Sequence, residues 1–530
     1  MANVKRVFTV NGEPFFPVGG QSMNQAGQSA SEAEAAFKAV KLLHGNTLEI
    51  PVYWEQVEPE EGRFDFSIVD ALLASARRYG MKLVLLWFAT WKNGNMDYTP
   101  AWVKTSPQRF KRVASPTGRA VWVLSSHCRA NYEADRKAFT ALCAHLKAVD
   151  SAERTVIALQ IENEPGILGS DRDYGPEAQA TFESPVPDEL VSKMKAAGKG
   201  PVFEVWQEAG GKEGGSWPEL FGWAGGELMT AWSIATTIDG LAEAGKAVYG
   251  LPMYINVWLA RHAWAMAGED YPSGGAVPKV LDIYKWFTPH VDLIAPDIYL
   301  PDNKGYESMC RAYARDDNPL FVPESGGRAA SNAWLMFRAI ADYNAIGYHG
   351  FGVEWYMAED GSVRPEAQMV VDSFRCVSAV IPLLLKYQGT GKIHAVVQEE
   401  NMESQELDLD GYVGQVQFDG RPRWFPPAGD TAERRGRGLV IQASQHEFYL
   451  VGSHYQLVLH PKLPPHVARD MSLVRDPLLR RSSQYLSVDE GHFDEKGEFV
   501  VDHQRNGDEI RFAAPWVEPD IGVLRVVMCD

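Results

Sequence analysis

Two short runs in the chain end on carboxylates. Gln160-Ile161-Glu162-Asn163-Glu164-Pro165 closes one apolar stretch, and Val322-Pro323-Glu324-Ser325-Gly326-Gly327 closes another. Two carboxyl groups brought together from such ends can do paired work. One protonates a leaving oxygen, and the other attacks or stabilises an electron-poor carbon. Cleavage of a glycosidic bond needs that pair. A separation of about 5–5.5 Å gives retention through a covalent glycosyl-enzyme, and a wider gap admits a water and gives inversion. Two glutamates compete in the first run. Glu162 and Glu164 are two residues apart, so a regular strand points both the same way. Glu164 is nearer the strand end and precedes Pro165, where a strand must stop. It is the preferred acid/base, with Glu324 as nucleophile. Glu162 is expected deeper, as a layer residue or a partner for a neighbouring charge. The acid must carry a raised pKa, and the negative charge of Glu324 would raise it.

These ends need a frame that makes them converge. Eight short apolar runs recur, at 16–21, 46–54, 82–88, 155–164, 252–258, 291–299, 319–324 and 347–356. Near-continuous apolar runs suit strands buried on both faces, as in parallel sheets. Helical spacing falls between them, as in 67–80, with Gly80 placed for a C-terminal cap, and in 131–149. Eightfold strand–helix alternation predicts an α/β fold, a (β/α)8 TIM barrel, whose site lies at the C-terminal strand ends. A doubly wound sheet is the rival, but no Gly-rich phosphate loop follows the first strand. The interval 166–250, with four tryptophans, predicts a helical insertion on the barrel rim. From about residue 385 apolar and polar residues alternate, which predicts a C-terminal antiparallel β-sandwich-like domain. The expected division is a barrel over 1–384 and a β-rich domain over 385–530. Fourteen of the sixteen tryptophans precede the linking segment 379–392.

The net charge of −18 and the lack of a basic stripe argue against nucleic acid as a partner. Five scattered cysteines without a CxxC pair read as free thiols, neither a disulfide framework nor a zinc site. The N-terminal run lacks the apolar core of a signal peptide, and no stretch reaches the roughly 18 apolar residues of a membrane span. The expectation is a cytoplasmic chain as given, periplasmic or secreted if a signal was removed, with no membrane partner. A homo-oligomer stays open. Arg434-Arg435-Gly436-Arg437 reads as a solvated turn.

The Asn163-Glu164-Pro165 run, with a second glutamate ending a later strand, resembles the glycoside hydrolases of clan A. Val52 through Phe66, with Trp54, Glu58-Pro59, Gly62 and Phe64-Asp65-Phe66, is similar to the second-strand signature of β-galactosidases of families 35 and 42. The likeness spans about residues 10–375. It implies that Asn163 bonds the sugar 2-OH, that Tyr299 holds an oxygen of the nucleophile, and that Trp355 floors the sugar subsite. It implies a retaining, exo-acting β-glycosidase, foremost a β-galactosidase, acting on carbohydrate without metal or cofactor. A β-glucosidase, a β-mannosidase or an activity on xylan or xyloglucan side chains is the alternative, and a non-catalytic carbohydrate-binding barrel a more distant one. Two places depart from family 35. Its displaced strand-two tyrosine stands here as Tyr53, and its Cys-Ala-Glu-type clamp is replaced by Leu86-Trp87-Phe88-Ala89-Thr90-Trp91. Tyr98-Thr99-Pro100-Ala101-Trp102 looks more like family 42. Further candidates come from strand position. Trp87 or Trp91 would wall a subsite. Asn256 and Trp258 would line the pocket or pack the rim. Glu49 and Glu354 would touch a sugar hydroxyl or serve as charge partners.

Overall fold

Eight parallel strands close into a ring in the computed structural model, which describes residues 7–262, 264–326, 330–418, 435–462, 485–512 and 515–529. They are β1 (Val18–Gln21), β2 (Thr47–Tyr53), β3 (Lys82–Lys92), β4 (Val156–Asn163), β5 (Met253–Trp258), β6 (Leu293–Ile298), β7 (Glu324–Ser325) and β8 (Tyr348–Phe351). β1 pairs with both β2 and β8, and a parallel bridge from Val322 to Tyr348 joins β7 to β8. A helix follows each strand: α1 (Ala30–Leu42), α2 (Ser67–Tyr79), α3 (Arg129–Asp150), α4 (Gly225–Val248), α5 (Leu281–Phe287), α6 (Asn303–Tyr313), α7 (Asn332–Asp342) and α8 (Gln368–Ala379). The fold is the expected (β/α)8 barrel. Gly80 caps α2 in the left-handed conformation, at φ 67°, where a Cβ would be strained.

Strand parity sorts the side chains. Val84, Leu86 and Phe88 share a core with Tyr254, Ala295 and Phe321 inside the barrel. Leu83, Leu85 and Trp87 join the larger core under the helices. An N-terminal hairpin, Phe8–Val10 with Glu13–Phe15, stops the lower mouth, where Phe8 meets Phe321 edge-on at 5.2 Å. The long interval after β4 divides in two. Four short helices (176–183, 188–197, 201–208 and 217–221) precede α4, which is the barrel's own helix and packs along α3.

Beyond α8 lie two antiparallel sheets of six and four strands. The six-stranded sheet is buried on both faces except at its exposed edge strand, 499–504. Ile393, Ala395, Val397, Leu439 and Ile441 pack into the barrel core, while Val396, Val440 and Leu450 pack on Leu407, Val416 and Leu457 of the four-stranded sheet. The alternation read from the sequence is thus a sheet sandwiched between a barrel and a second sheet. Arg437 corrects the expectation of a solvated turn. It is buried, and its Nε donates to Ser373 Oγ of α8 at 3.1 Å, while Nη1 reaches the Arg435 carbonyl at 3.0 Å. Arg434 lies outside the described residues. Among the described residues no single helix is long and apolar enough to cross a membrane.

Arg437 therefore ties the six-stranded sheet to the barrel through hydrogen bonds from a buried cation. Arg437→Met keeps the volume and deletes those bonds. It is expected to destabilise the fold by about 2 kcal/mol. A thermal melt that does not move to lower temperature would rule out this tie.

Candidate functional site

β4 does not end as a regular strand. Glu162 and Glu164 both have left-handed backbone, at φ 62° and 46°. Each such residue costs on the order of 1 kcal/mol or more, and such strain persists where the surroundings impose it. Here the cause is the neighbouring strand. From Trp87 to Lys92 β3 advances five residues while β4 advances two, from Ile161 to Asn163. The surplus bulges, as strands do beside active sites. Two consequences follow. The Trp91 N–H turns to donate to Glu162 Oε2 at 2.7 Å. Lys92 and Asn93 are carried onto the C-terminal mouth.

The two glutamates consequently part company. Glu162 leaves the barrel interior and faces Asp135 of α3. Both groups are fully buried. Burial raises both, and Asp135 pushes Glu162 well above the carboxylate range. Glu164 turns to the mouth, so the expectation that both point one way fails at the bulge.

At the mouth a cavity of about 330 Å³ opens between the ends of β3, β4, β5, β6, β7 and β8. Glu164, Asp297 and Glu324 share it, with carboxylate oxygens that lie within 4.8 Å of one another. Tyr299 O–H donates to Glu324 Oε2 at 2.6 Å. Asn93 Nδ2 donates to Glu164 Oε2 at 2.7 Å. One amide touches all three acidic residues. Asn256 Oδ1 accepts from the Glu164 N–H at 2.7 Å, and its Nδ2 donates to Asp297 Oδ2 at 2.8 Å and approaches Glu324 Oε1 at 3.4 Å. Lys92 is the buried cation of the group, and its Nζ bonds Asn93 Oδ1. Three oxygen donors could by type hold a hard divalent cation. The Lys92 ammonium already supplies positive charge to the same three groups.

Burial dominates the electrostatics. It raises Glu164 to about 7, helped by the Glu324 charge and opposed by Lys92. Burial also raises Glu324, but Lys92 and the Tyr299 hydroxyl pull it back down. Glu164 is therefore poised to hold a proton near neutrality, and Glu324 is the carboxyl that a cation and a phenol hydroxyl hold down.

The remaining candidates fall in three places. Asn163 is fully buried beside Glu164, and its side-chain amide has no partner among the described residues. Glu49 is one layer below the cavity. Its carboxylate accepts from Tyr254 O–H at 2.7 Å and pairs with His349 Nδ1, so it is a buried charge partner and not a cavity residue. Trp87 is a correction. Its parity is that of Leu83 and Leu85, and its indole N–H donates to Asp135 at 2.8 Å, under α3 and away from the mouth. Trp91 is buried as well. Trp355 stands half-buried in the turn after β8, edge-on to Tyr356 at 5.9 Å, and is not among the cavity residues. Trp258 and Phe351 are the aromatic walls instead. Glu354 accepts the Met23 N–H at 2.9 Å. The sequence reading missed Asp297, Lys92, Asn93 and Arg261. Parity could have found Asp297, which shares the inward face of β6 with Leu293 and Ala295.

Residues 26–205 match a family model described as beta-galactosidase, glycoside hydrolase family 42. Residues 370–514 match a domain of unknown function, DUF5597. The first match covers part of the barrel, which there is similar to glycoside hydrolase family 42. No curated protein matches the chain. Among solved structures, a beta-galactosidase from the psychrophilic Marinomonas ef1 is 11% identical, with TM-score 0.48, over 69% of this chain and 60% of its own. A beta-galactosidase from the haloarchaeon Halorubrum lacusprofundi is 14% identical, with TM-score 0.49, over 68% and 58%. An exo-beta-1,4-mannosidase from Opitutaceae bacterium strain TAV5 is 14% identical, with TM-score 0.41, over 69% and 60%. The chain thus spans about 60% of the length of these structures.

The raised Glu164 pKa has a stated second cause, and removing that cause tests it. Glu324→Gln deletes the negative charge while keeping the shape. The Glu164 titration, followed by carbon NMR of labelled glutamate, is expected to fall by about one unit from its native position, with burial keeping it above the ordinary carboxylate value. A titration that stays in place would show that Glu324 is not ionised beside it.

Proposed function

We propose that the protein is a retaining, exo-acting β-glycosidase with β-galactosides as the favoured substrate. The observation that carries this is the carboxyl pair at the mouth. Glu164 and Glu324 oxygens lie within 4.8 Å. That matches the spacing of about 5–5.5 Å for double displacement better than the roughly 6.5–9.5 Å that leaves room for a water. Glu324, ionised and held by Tyr299, attacks the anomeric carbon. Glu164, protonated below about pH 7, gives its proton to the departing oxygen. Water then opens the glycosyl-enzyme, with Glu164 accepting its proton and the Glu324 carboxylate leaving.

The other residues serve binding. A cavity of about 330 Å³ is at the small end of ligand sites, which suits one terminal sugar rather than an extended chain. Trp258 and Phe351 offer aromatic faces to the apolar side of a sugar ring. Asn163 has a free amide for the 2-OH. The galactose preference rests on the family 42 match over residues 26–205. The strand-three end, with Lys92 and Asn93 in place of a glutamate clamp, keeps gluco- and manno-configured β-glycosides as the second reading.

A panel of nitrophenyl β-glycosides tests the proposal, with galactoside expected fastest and the first-formed product keeping the β configuration by proton NMR. The alkaline limb of kcat/KM is expected near pH 7, because activity needs Glu164 protonated and falls as pH rises through its pKa. Glu324→Ala should lose at least about 10³-fold in kcat. Full activity in that variant, or an inverted product, would sink the mechanism.

A further inference from the structure

The two-carboxyl mechanism leaves a third buried acid without a task. Asp297 ends β6 at 2% exposure, beside Glu164 and Glu324. Its Oδ2 accepts from Asn256 Nδ2 at 2.8 Å. Its Oδ1 is buried and has no donor among the described residues. Within 4.8 Å of Asp297 lie the carboxyls of Glu324, bonded by Tyr299, and of Glu164, one of whose oxygens is bonded by Asn93 and which shares a side-chain hydrogen bond with Asp297. An ionised carboxylate only accepts hydrogen bonds. Two carboxyls can face each other away from water only if one keeps a proton and donates it. Asn256 fixes which oxygen of Asp297 that is. With Oδ2 occupied by the amide, the hydroxyl falls on Oδ1.

We propose that Asp297 remains protonated throughout the reaction cycle and donates a hydrogen bond to Glu164, as a positioning residue that holds and tunes the acid/base group. This rests on the acid/base reading of Glu164. The charges around Asp297 favour its neutral form. Burial acts first, and then the carboxyls of Glu324 on β7, Glu164 on β4 and Glu49 on β2. Lys92 on β3 is the opposing cation, and Tyr254, Tyr299 and Tyr313 face the group with neutral phenols. Arg261 acts on Glu164 from the mouth.

The proton balance is simple. In the first step the Glu164 proton passes to the leaving oxygen as the glycosidic bond breaks and the Glu324–carbon bond forms. Glu164 is then an anion, and the Asp297 O–H bond to it becomes charge-assisted and stronger. In the second step a water oxygen bonds the anomeric carbon, its proton returns to Glu164, and Glu324 departs. Asp297 keeps its own proton in both.

Two variants test this. Asp297→Asn keeps a neutral N–H donor, so the alkaline limb of kcat/KM should stay within about half a pH unit of wild type. Asp297→Ala removes the donor that stabilises the Glu164 anion. Its limb should rise by about one unit and kcat should fall by about tenfold, with KM nearly unchanged. If Asp297 were ionised, both variants would delete a negative charge and the limb would move down in both. That result, or no movement in either, overturns the proposal. Infrared difference spectra of wild type against Asp297→Asn, taken above the Glu164 titration, give a readout free of turnover. A protonated-carboxyl stretch lost in the variant supports the proposal, and the subtraction separates it from the Glu162–Asp135 pair. Absence of that difference overturns it. A band present in a protein that hydrolyses no β-glycoside would remove the functional reading alone.

Discussion

Burying like charges at the mouth of a barrel is the constraint on which this structure turns. Glu164, Asp297 and Glu324 converge with one ammonium, Lys92, as buried side chains around one cavity. Ionising all three there would cost several kcal/mol per unpaired charge. The chain meets that cost by compensation and by proton retention. Lys92 supplies the positive charge, Tyr299 donates to Glu324, and burial raises Glu164 to about 7. Asn256 holds the register of the group, since a single planar amide bonds the Glu164 backbone and spans the other two carboxyls. One layer deeper, Glu49 with Tyr254 and His349 satisfies a fourth carboxyl within the core. The barrel interior is therefore polar at its upper end by design of hydrogen bonds, and apolar below.

The barrel and the two glutamates were legible because they follow from patterns with a fixed period. Eight apolar runs separated by amphipathic helices leave few other topologies. Glu164 and Glu324 stand where two of those runs stop. Tyr299 was legible from the resemblance, one strand before Glu324. What escaped the sequence is what breaks the period. The bulge of β3 against β4 needs five residues opposite two, and nothing local marks it, because Ala89-Thr90-Trp91 continues the strand's texture. That bulge brings Lys92 and Asn93 to the mouth and turns Glu162 outward. Asp297 was hidden for a different reason. It sits inside Leu-Ile-Ala-Pro-Asp-Ile, where a lone acid reads as an interruption, and only its inward parity marks it. Trp87 shows the same rule from the other side. An aromatic near a strand end looks like a subsite wall until its parity is counted with Leu83 and Leu85.

The C-terminal sheets bear on the site through the framework. Apart from its exposed edge strand 499–504, the six-stranded sheet is covered on both sides, since one continues the barrel core and the other packs on the four-stranded sheet. It lies against α7 and α8, the helices that follow β7 and β8. Arg437 pins that contact by bonding Ser373, whose hydroxyl in turn donates to the Ala333 carbonyl of α7 at 2.7 Å. The strand that carries Glu324 has two residues, too short to hold a position by its own ladder. Its geometry depends on the helices behind it, and those are clamped by the sheet. The annex is in this sense part of what fixes Glu324.

Regular and irregular features then share in building the mouth. Of the proposed pair, Glu324 stands at a regular strand end, Glu164 is turned to the mouth where β3 bulges against β4, and an amide on β5 spans both. The groups that would meet the sugar come from both kinds of feature: Asn93 arrives on the bulge and Arg261 on the loop after β5, while Trp258 and Phe351 end β5 and β8. Regular features are dictated by burial, because shifting a strand by one residue exposes a whole face to the wrong side. Irregular ones carry no such penalty and can change one at a time. The frame that carries the carboxyls is accordingly the part that a single sequence yields, and the lining of the mouth is the part that only the assembled barrel defines.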